Sequence, residues 1–177
     1  MIEYHDKEWG VPVHSDRQLF EMLTLEGAQA GLSWSTILKR RPGYKKAFSN
    51  FNIKKVSQYG DKEVELLMSD TGIIRNRLKI ISTIENAKCV LKIKKEFGSF
   101  DKYIWGFVSD KPRVNKYKSL NQIPAQTEIS EKISKDLKKR GFKFVGPTII
   151  YAFMQAIGIV NDHEVGCFRY KEVQKHY

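Results

Sequence analysis

Apolar residues recur at helical spacing in segment after segment of this chain. Leu19, Phe20, Leu23 and Leu25 follow Ser15 and Asp16, either of which can cap a helix running out near Gly27. Ser33 caps a second helix from Trp34 to about Arg41, with Pro42-Gly43 as its stop. Asn52 opens a short third carrying Ile53 and Val56, and Asp61 caps a fourth carrying Val64, Leu67 and Met68. A long fifth runs from about Ile74 to Phe97, with Leu78, Ile81, Ile84, Ala87, Val90 and Leu91 as its apolar stripe. A short helix is expected around 101–107. Thr127 then precedes a helix to about Arg140, and Gly141 ends it. Pro147 opens the last strong helix, where its missing N–H removes no helical bond; that helix ends at Gly158. Between them "SDKPRVNKYKSLNQIPAQ" reads as a surface loop. No segment alternates as a strand would, so the expected fold class is all-α.

The length of 177 residues and a hydrophobic content of 41% suit one domain, 1–177, built as two helical lobes around one core with a pocket between them. No repeat or low-complexity linker divides it. The 31 Lys and Arg against 20 Asp and Glu leave a net charge of +11. Such an excess favours a polyanionic partner, of which nucleic acid is the commonest; a merely basic enzyme is the alternative. No apolar run approaches the roughly 18 residues of a membrane span. No secretory signal precedes the two cysteines, and Cys89 lies in a helical, half-apolar context. The expectation is a reduced, cytoplasmic monomer.

The stretch "LKKRGFKFVGPTIIYAFMQAIG" joins two helices through Gly141 and Gly146. Glycine at both ends allows a sharp hairpin. The free N–H groups at the start of the second helix suit a phosphate, and Lys138, Lys139, Arg140 and Lys143 crowd the same place. This pattern looks like a helix-hairpin-helix, which grips the DNA backbone without reading sequence. An ordinary αα-hairpin with a basic face has the same outline. Arg75, Arg77 and Lys79 in "GIIRNRLKI" are either a second backbone contact or a solvated helix face.

Two further stretches carry unusual side chains. "EYHDKEWG" holds Tyr4, His5 and Trp9, and "LEGAQAGLSW" holds Glu26, Gly31, Leu32 and Trp34. An aromatic face and a carboxylate together suit an extruded purine. The same residues serve equally as core packing plus a Glu paired with a surface Lys. Near the C-terminus, His163 and Cys167 stand four positions apart, half of a tetrahedral metal site.

"YHDKEWGVP", "LEGAQAGLSW", "GIIRNRLKI" and "LKKRGFKFVGPTIIYAFMQAIGIVNDHEVGC" together resemble the DNA-3-methyladenine glycosylase I family, collinearly from residue 4 to 167. The resemblance implies a helix-hairpin-helix glycosylase fold. It implies base excision: an alkylated base is flipped from double-stranded DNA and its N-glycosidic bond is hydrolysed, with free 3-methyladenine as product. Glu26 would hydrogen-bond the base edge and is the best single catalytic candidate. Trp34 would stack on the base, Tyr4 would touch it, and Trp9 would support the pocket. Gly31 and Leu32 would form the wedge that fills the gap in the duplex. Gly141, Lys143 and Gly146 would hold the backbone.

The resemblance also implies a structural zinc held by His5, His163 and Cys167. In the family a cysteine ahead of the "YHD" motif completes the tetrahedron. Only three residues precede Tyr4 here, so three of four ligands are expected, with Tyr4 and His5 on a loose terminus. Many superfamily members carry a catalytic Asp soon after the hairpin. "PTIIYAFMQAIG" has none, so no general base is nominated. With no lysine but Lys7 in the pocket motifs, a monofunctional enzyme is expected. The alternative is a non-catalytic DNA- or damage-binding module, and a weaker third is a metalloenzyme using zinc as Lewis acid.

Overall fold

The computed structural model describes residues 1–177. Its helices are α1 (Ile2–Lys7), α2 (Asp16–Ala28), α3 (Trp34–Ala47), α4 (Ile53–Val56), α5 (Asp61–Ser69), α6 (Arg77–Phe97), α7 (Phe100–Gly106), α8 (Glu128–Lys139), α9 (Pro147–Ala156) and α10 (Arg169–Glu172). The fold is all-α, as the apolar spacing predicts. Two two-residue strands, β1 (Arg113–Val114) and β2 (Val160–Asn161), pair in parallel, with Arg113 opposite Val160.

α2 is the axis of the molecule. Every residue from Leu19 to Ala28 is buried, because α2 packs against α9, α6, α7 and α3 on all sides. A helix enclosed in this way needs partners for any charge it carries. Glu21 has them: Arg41 donates to it at 2.6 Å, and Lys45 lies 3.4 Å away. Arg41 also reaches Glu8 at 2.7 Å, tying the chain start to α2 and α3.

Capping follows the sequence with two exceptions. Ser33, Asn52, Asn76, Ser99 and Thr127 each accept a backbone N–H of the following turn. Ser15 occupies its cap position without a side-chain hydrogen bond. Asp16 instead accepts the N–H of Asp101 at 2.9 Å and pairs with Lys94 at 2.8 Å, pinning α2 to α7. At α5 the cap position is Gly60, not Asp61, and the carboxylate of Glu63 accepts the Gly60 N–H at 2.8 Å.

Four expectations change. α3 does not stop at Pro42; it runs through to Ala47. Gly43 serves close approach instead: a Cβ there would lie 2.2 Å from the Gly72 carbonyl oxygen, so α3 meets the α5–α6 turn backbone to backbone. The stripe on α6 is rotated. Leu78 is 70% and Ile81 39% exposed, whereas Ile80, Ile84, Ala87, Val90 and Ile93 are buried alongside the polar Ser82, Thr83 and Asn86. The 109–126 stretch is tied down by the β1–β2 pair and a 3₁₀ turn at Leu120–Gln122. Tyr4 and His5 sit on a helical turn, with Tyr4 in the core.

Candidate active site

A cavity of about 490 Å³ opens where α1, the end of α2 and the start of α3 face α9 and the 162–167 segment. Tyr4, Trp9, Glu26, Gln29, Trp34 and Gln155 line it, and His5, His163 and Cys167 share it. Tyr4 and Trp34 pack ring against ring at 5.5 Å with planes tilted by 57°.

Glu26 is 5% exposed and, unlike Glu21, receives neither an ion pair nor a hydrogen bond. The surface-lysine partner of the alternative, core-packing reading is absent. Burial alone pushes its carboxyl up to about 8, so at neutral pH the acid is mostly protonated. The Tyr4 hydroxyl is buried without a partner as well. Burial and the nearby Glu26 both raise the Tyr4 phenol. An unpaired buried polar group costs about 1–3 kcal/mol. That hydroxyl and the unpaired Glu26 carboxyl beside one cavity suit a ligand that supplies hydrogen bonds.

A second groove of about 480 Å³ shares Glu26, Gln29 and Ala152 with the first. Gly31, Leu32 and Ser33 form one wall, Thr148 and Ile149 the other. Gly31 and Leu32 are exposed on the turn between α2 and α3. Glu26 therefore stands where the cavity and the groove meet.

The hairpin Arg140–Gly146 ends at the same groove. The N–H groups of Phe144, Val145, Gly146, Thr148 and Ile149 make no hydrogen bond within the chain, leaving a row of donors at the start of α9. Lys143 is exposed. The roles of the glycines differ from expectation. Gly141 has φ +93°, which other residues rarely adopt, but Gly146 has φ −61°, and the second left-handed residue is Phe144 at +54°. Arg140 does not join the basic cluster. Glu96 and Asp136 each accept from it at 2.7 Å, and it covers the Phe97 and Tyr103 rings.

His5, His163 and Cys167 come together across the two chain ends. Cys167 Sγ lies 3.7 Å from His5 Nε2 and 3.8 Å from His163 Nδ1. Ligands of a tetrahedral zinc, with bonds near 2.3 Å to sulfur and 2.0 Å to nitrogen, are about 3.5 Å apart. The outer nitrogens are occupied as a metal requires. His163 Nε2 donates to the Trp9 carbonyl at 3.0 Å, and His5 Nδ1 donates to Asp6 at 2.7 Å. Each ring thus turns its lone pair toward the thiol. Burial lowers the His163 pKa, which favours the neutral ring that a metal ligand needs. Trp9 packs edge-on against His163 at 4.5 Å, at the clasp rather than beside Trp34.

Sequence reasoning missed Gln155 and Leu120. Gln29 stands one turn beyond Glu26 on the same helix face. Asp162 is fully buried and accepts from Asn115 and Tyr151 at 2.6 Å and from Gln155 at 2.8 Å. Tyr151 and Gln155 stand one turn apart on α9, but Asn115 comes from the loop after β1, and no sequence spacing relates it to them.

The model of one family, methyladenine glycosylase, matches residues 1–170. The chain belongs to that family. It is 50% identical to the DNA-3-methyladenine glycosylase 1 of Escherichia coli K12 over 169 residues, covering 96% of this chain and 90% of the relative. A crystal structure of a 3-methyladenine DNA glycosylase I superimposes with TM-score 0.92 at 50% identity, covering 94% of this chain and 92% of that one. A Staphylococcus aureus glycosylase I, solved to explain 3-methyladenine recognition, gives TM-score 0.93 at 36% identity, covering 94% and 89%.

Proposed function

We infer that this chain is a DNA base-excision glycosylase that hydrolyses the N-glycosidic bond of 3-methyladenine in alkylated double-stranded DNA. The observation that carries the reading is Glu26: a buried, unpaired carboxyl at the junction of cavity and groove, in a chain of this family. Methylation at N3 makes the nucleotide's adenine cationic. A cation entering the cavity lowers the cost of ionising Glu26, whereas normal adenine leaves the acid neutral. Trp34 adds stacking and a cation–π attraction, and Tyr4 supplies a hydroxyl with no other partner. The cationic base is already a good leaving group, so selectivity rests on charge and shape in the cavity.

The groove suits the sugar and backbone of the extruded nucleotide. Leu32, on the exposed turn with Gly31, fills the gap in the base stack. The α8–hairpin–α9 unit acts as a helix-hairpin-helix, with its free N–H row and Lys143 on the phosphates. No lysine lines the cavity, which supports hydrolysis without strand cleavage. His5, His163 and Cys167 fit zinc in donor type, spacing and outer hydrogen bonds, and we assign them a structural zinc. When bound it joins the chain ends and fixes α1, which carries Tyr4, without entering the reaction.

The test is release of 3-methyladenine from methylated duplex DNA. The glycosylase reading expects the free base as product. Tight, salt-dependent DNA binding without base release would instead identify a binding module.

A further inference from the structure

Lys79, Ser82, Thr83 and Asn86 lie along one face of α6, at i, i+3, i+4 and i+7. This polar face turns inward beside Ile84, Ala87 and Val90, the buried part of the expected apolar stripe. Its two ends reach the two loops flanking the groove.

At one end, Lys79 Nζ donates to the carbonyls of Ala28 at 2.8 Å and Ala30 at 2.6 Å. These are carbonyls at the C-terminus of α2, and no backbone N–H bonds to either one. Free carbonyls there gather partial negative charge, and a cation normally comes from the helix's own last turn. α2 has no basic residue in that turn, so α6 supplies it. At the other end, Asn86 makes a two-point contact with the hairpin: its amide donates to the Lys143 carbonyl and accepts the Lys143 N–H, both at 2.9 Å. Seven helical residues separate the two anchors, a rise of about 10.5 Å. α2 and the hairpin also touch directly, since a Cβ on Gly27 would come within 3.2 Å of Phe144 Cβ.

We propose that Lys79 and Asn86 are positioning residues through which α6 fixes the spacing between the Gly31–Leu32 turn and the Gly141–Gly146 hairpin. The wedge and the phosphate grip are thereby held in one register on the duplex. The proposal rests on the reading that these two loops hold DNA. It assigns Lys79 to the protein's own backbone, not to a phosphate or a solvated face.

The test uses Lys79→Met, Asn86→Ala, Lys79→Arg and the Lys79→Met/Asn86→Ala double variant. Three quantities are measured: the single-turnover release rate at saturating methylated DNA, DNA affinity against salt, and quenching of tryptophan fluorescence by free 3-methyladenine. Misplacing a positioning group by about 1 Å can cost on the order of 10²-fold in rate. The expected result is a 10- to 100-fold loss of rate in either single variant, by that same scale. Affinity for the free base stays within about twofold, because the cavity itself is untouched. The salt slope is unchanged, Lys79→Arg recovers most of the rate, and the double variant loses less than the product of the singles. A salt slope reduced by about one with an unchanged saturated rate would make Lys79 a phosphate contact and overturn the proposal. Loss of free-base binding in either single variant, or normal rates in both, would overturn it as well. A wild-type protein that releases no base is a separate result and counts against the glycosylase reading itself.

Discussion

Cys167 Sγ stands 3.7 Å from His5 Nε2, although 162 positions separate the two residues. His163 completes the group, and together they close the chain into a ring next to the cavity. The clasp matters because α1 is only six residues long, too short to be stable alone. Burial of Tyr4, the Arg41–Glu8 pair and this junction hold α1 in place.

Protein prepared without chelator is therefore expected to contain zinc by elemental analysis, about one per chain. At a free metal concentration 1,000-fold above Kd, binding contributes about 4 kcal/mol. Stripping the metal, or Cys167→Ser, should then lower Tm by roughly 8–16 °C for a domain of this size. Tryptophan fluorescence should also lose its response to free 3-methyladenine as α1 loosens. A metal-free preparation with unchanged Tm would remove zinc from the site.

Glu26 ties stability to pH in a direction that can be worked out. Its carboxyl titrates near the ordinary 4.5 when unfolded and near 8 when folded. Between those values the folded state holds a proton that the unfolded state has released, so stability falls as pH rises through this window. Each unit is worth about 1.4 kcal/mol, and the total is a few kcal/mol. Glu26→Gln should flatten that fall, making the variant more stable than wild type above pH 8, while excision drops by a hundredfold or so. Chemical denaturation at pH 5, 7 and 9 checks the first part.

The same group sets the pH dependence of activity. Ionised Glu26 is the form that favours a cationic base, and its fraction grows as pH rises toward 8. The ascending limb of kcat/KM for free enzyme should lie near that value and vanish in Glu26→Gln. A limb that persists in the variant would assign it to another group.

The hairpin glycines should separate cleanly. Gly141→Ala forces a side chain to φ +93° and should cost about 1–2 kcal/mol in stability. Gly146 sits at an ordinary φ of −61°, and a Cβ there meets nothing within 4 Å. Gly146→Ala should cost under about 1 kcal/mol, the loss expected at a helix cap. Lys143→Ala should reduce the salt slope of DNA binding by about one without changing affinity for the free base.

Trp34 and Leu32 should fail in different assays. Trp34→Ala removes a wall of the cavity and should weaken free 3-methyladenine by about 1–3 kcal/mol, the worth of one stacked base. Leu32→Ala leaves free-base binding unchanged and slows release from duplex DNA. Equal effects of both variants in both assays would deny the division between cavity and wedge.

The sequence by itself determined most of the helices, because apolar spacing and caps such as Ser33, Asn52 and Thr127 act within a few residues; it showed neither α1 nor α10, short turns held by contacts from afar. It also determined the residue types of the cavity and clasp, since "YHDKEWG", "LEGAQAGLSW" and "NDHEVGC" carry them in compact form. Tertiary structure decided what depends on groups brought from afar. Glu21 and Glu26 lie five residues apart on one helix, yet only Glu21 meets Arg41, so only Glu26 is left unpaired. Arg140 and Lys143 look alike in the sequence, but Glu96 and Asp136 take Arg140 out of the basic cluster. Lys79 looks like a solvated lysine until Ala28 and Ala30 offer their carbonyls. Charge and burial at a site are sums over neighbours in space, and helical period constrains only neighbours along the chain.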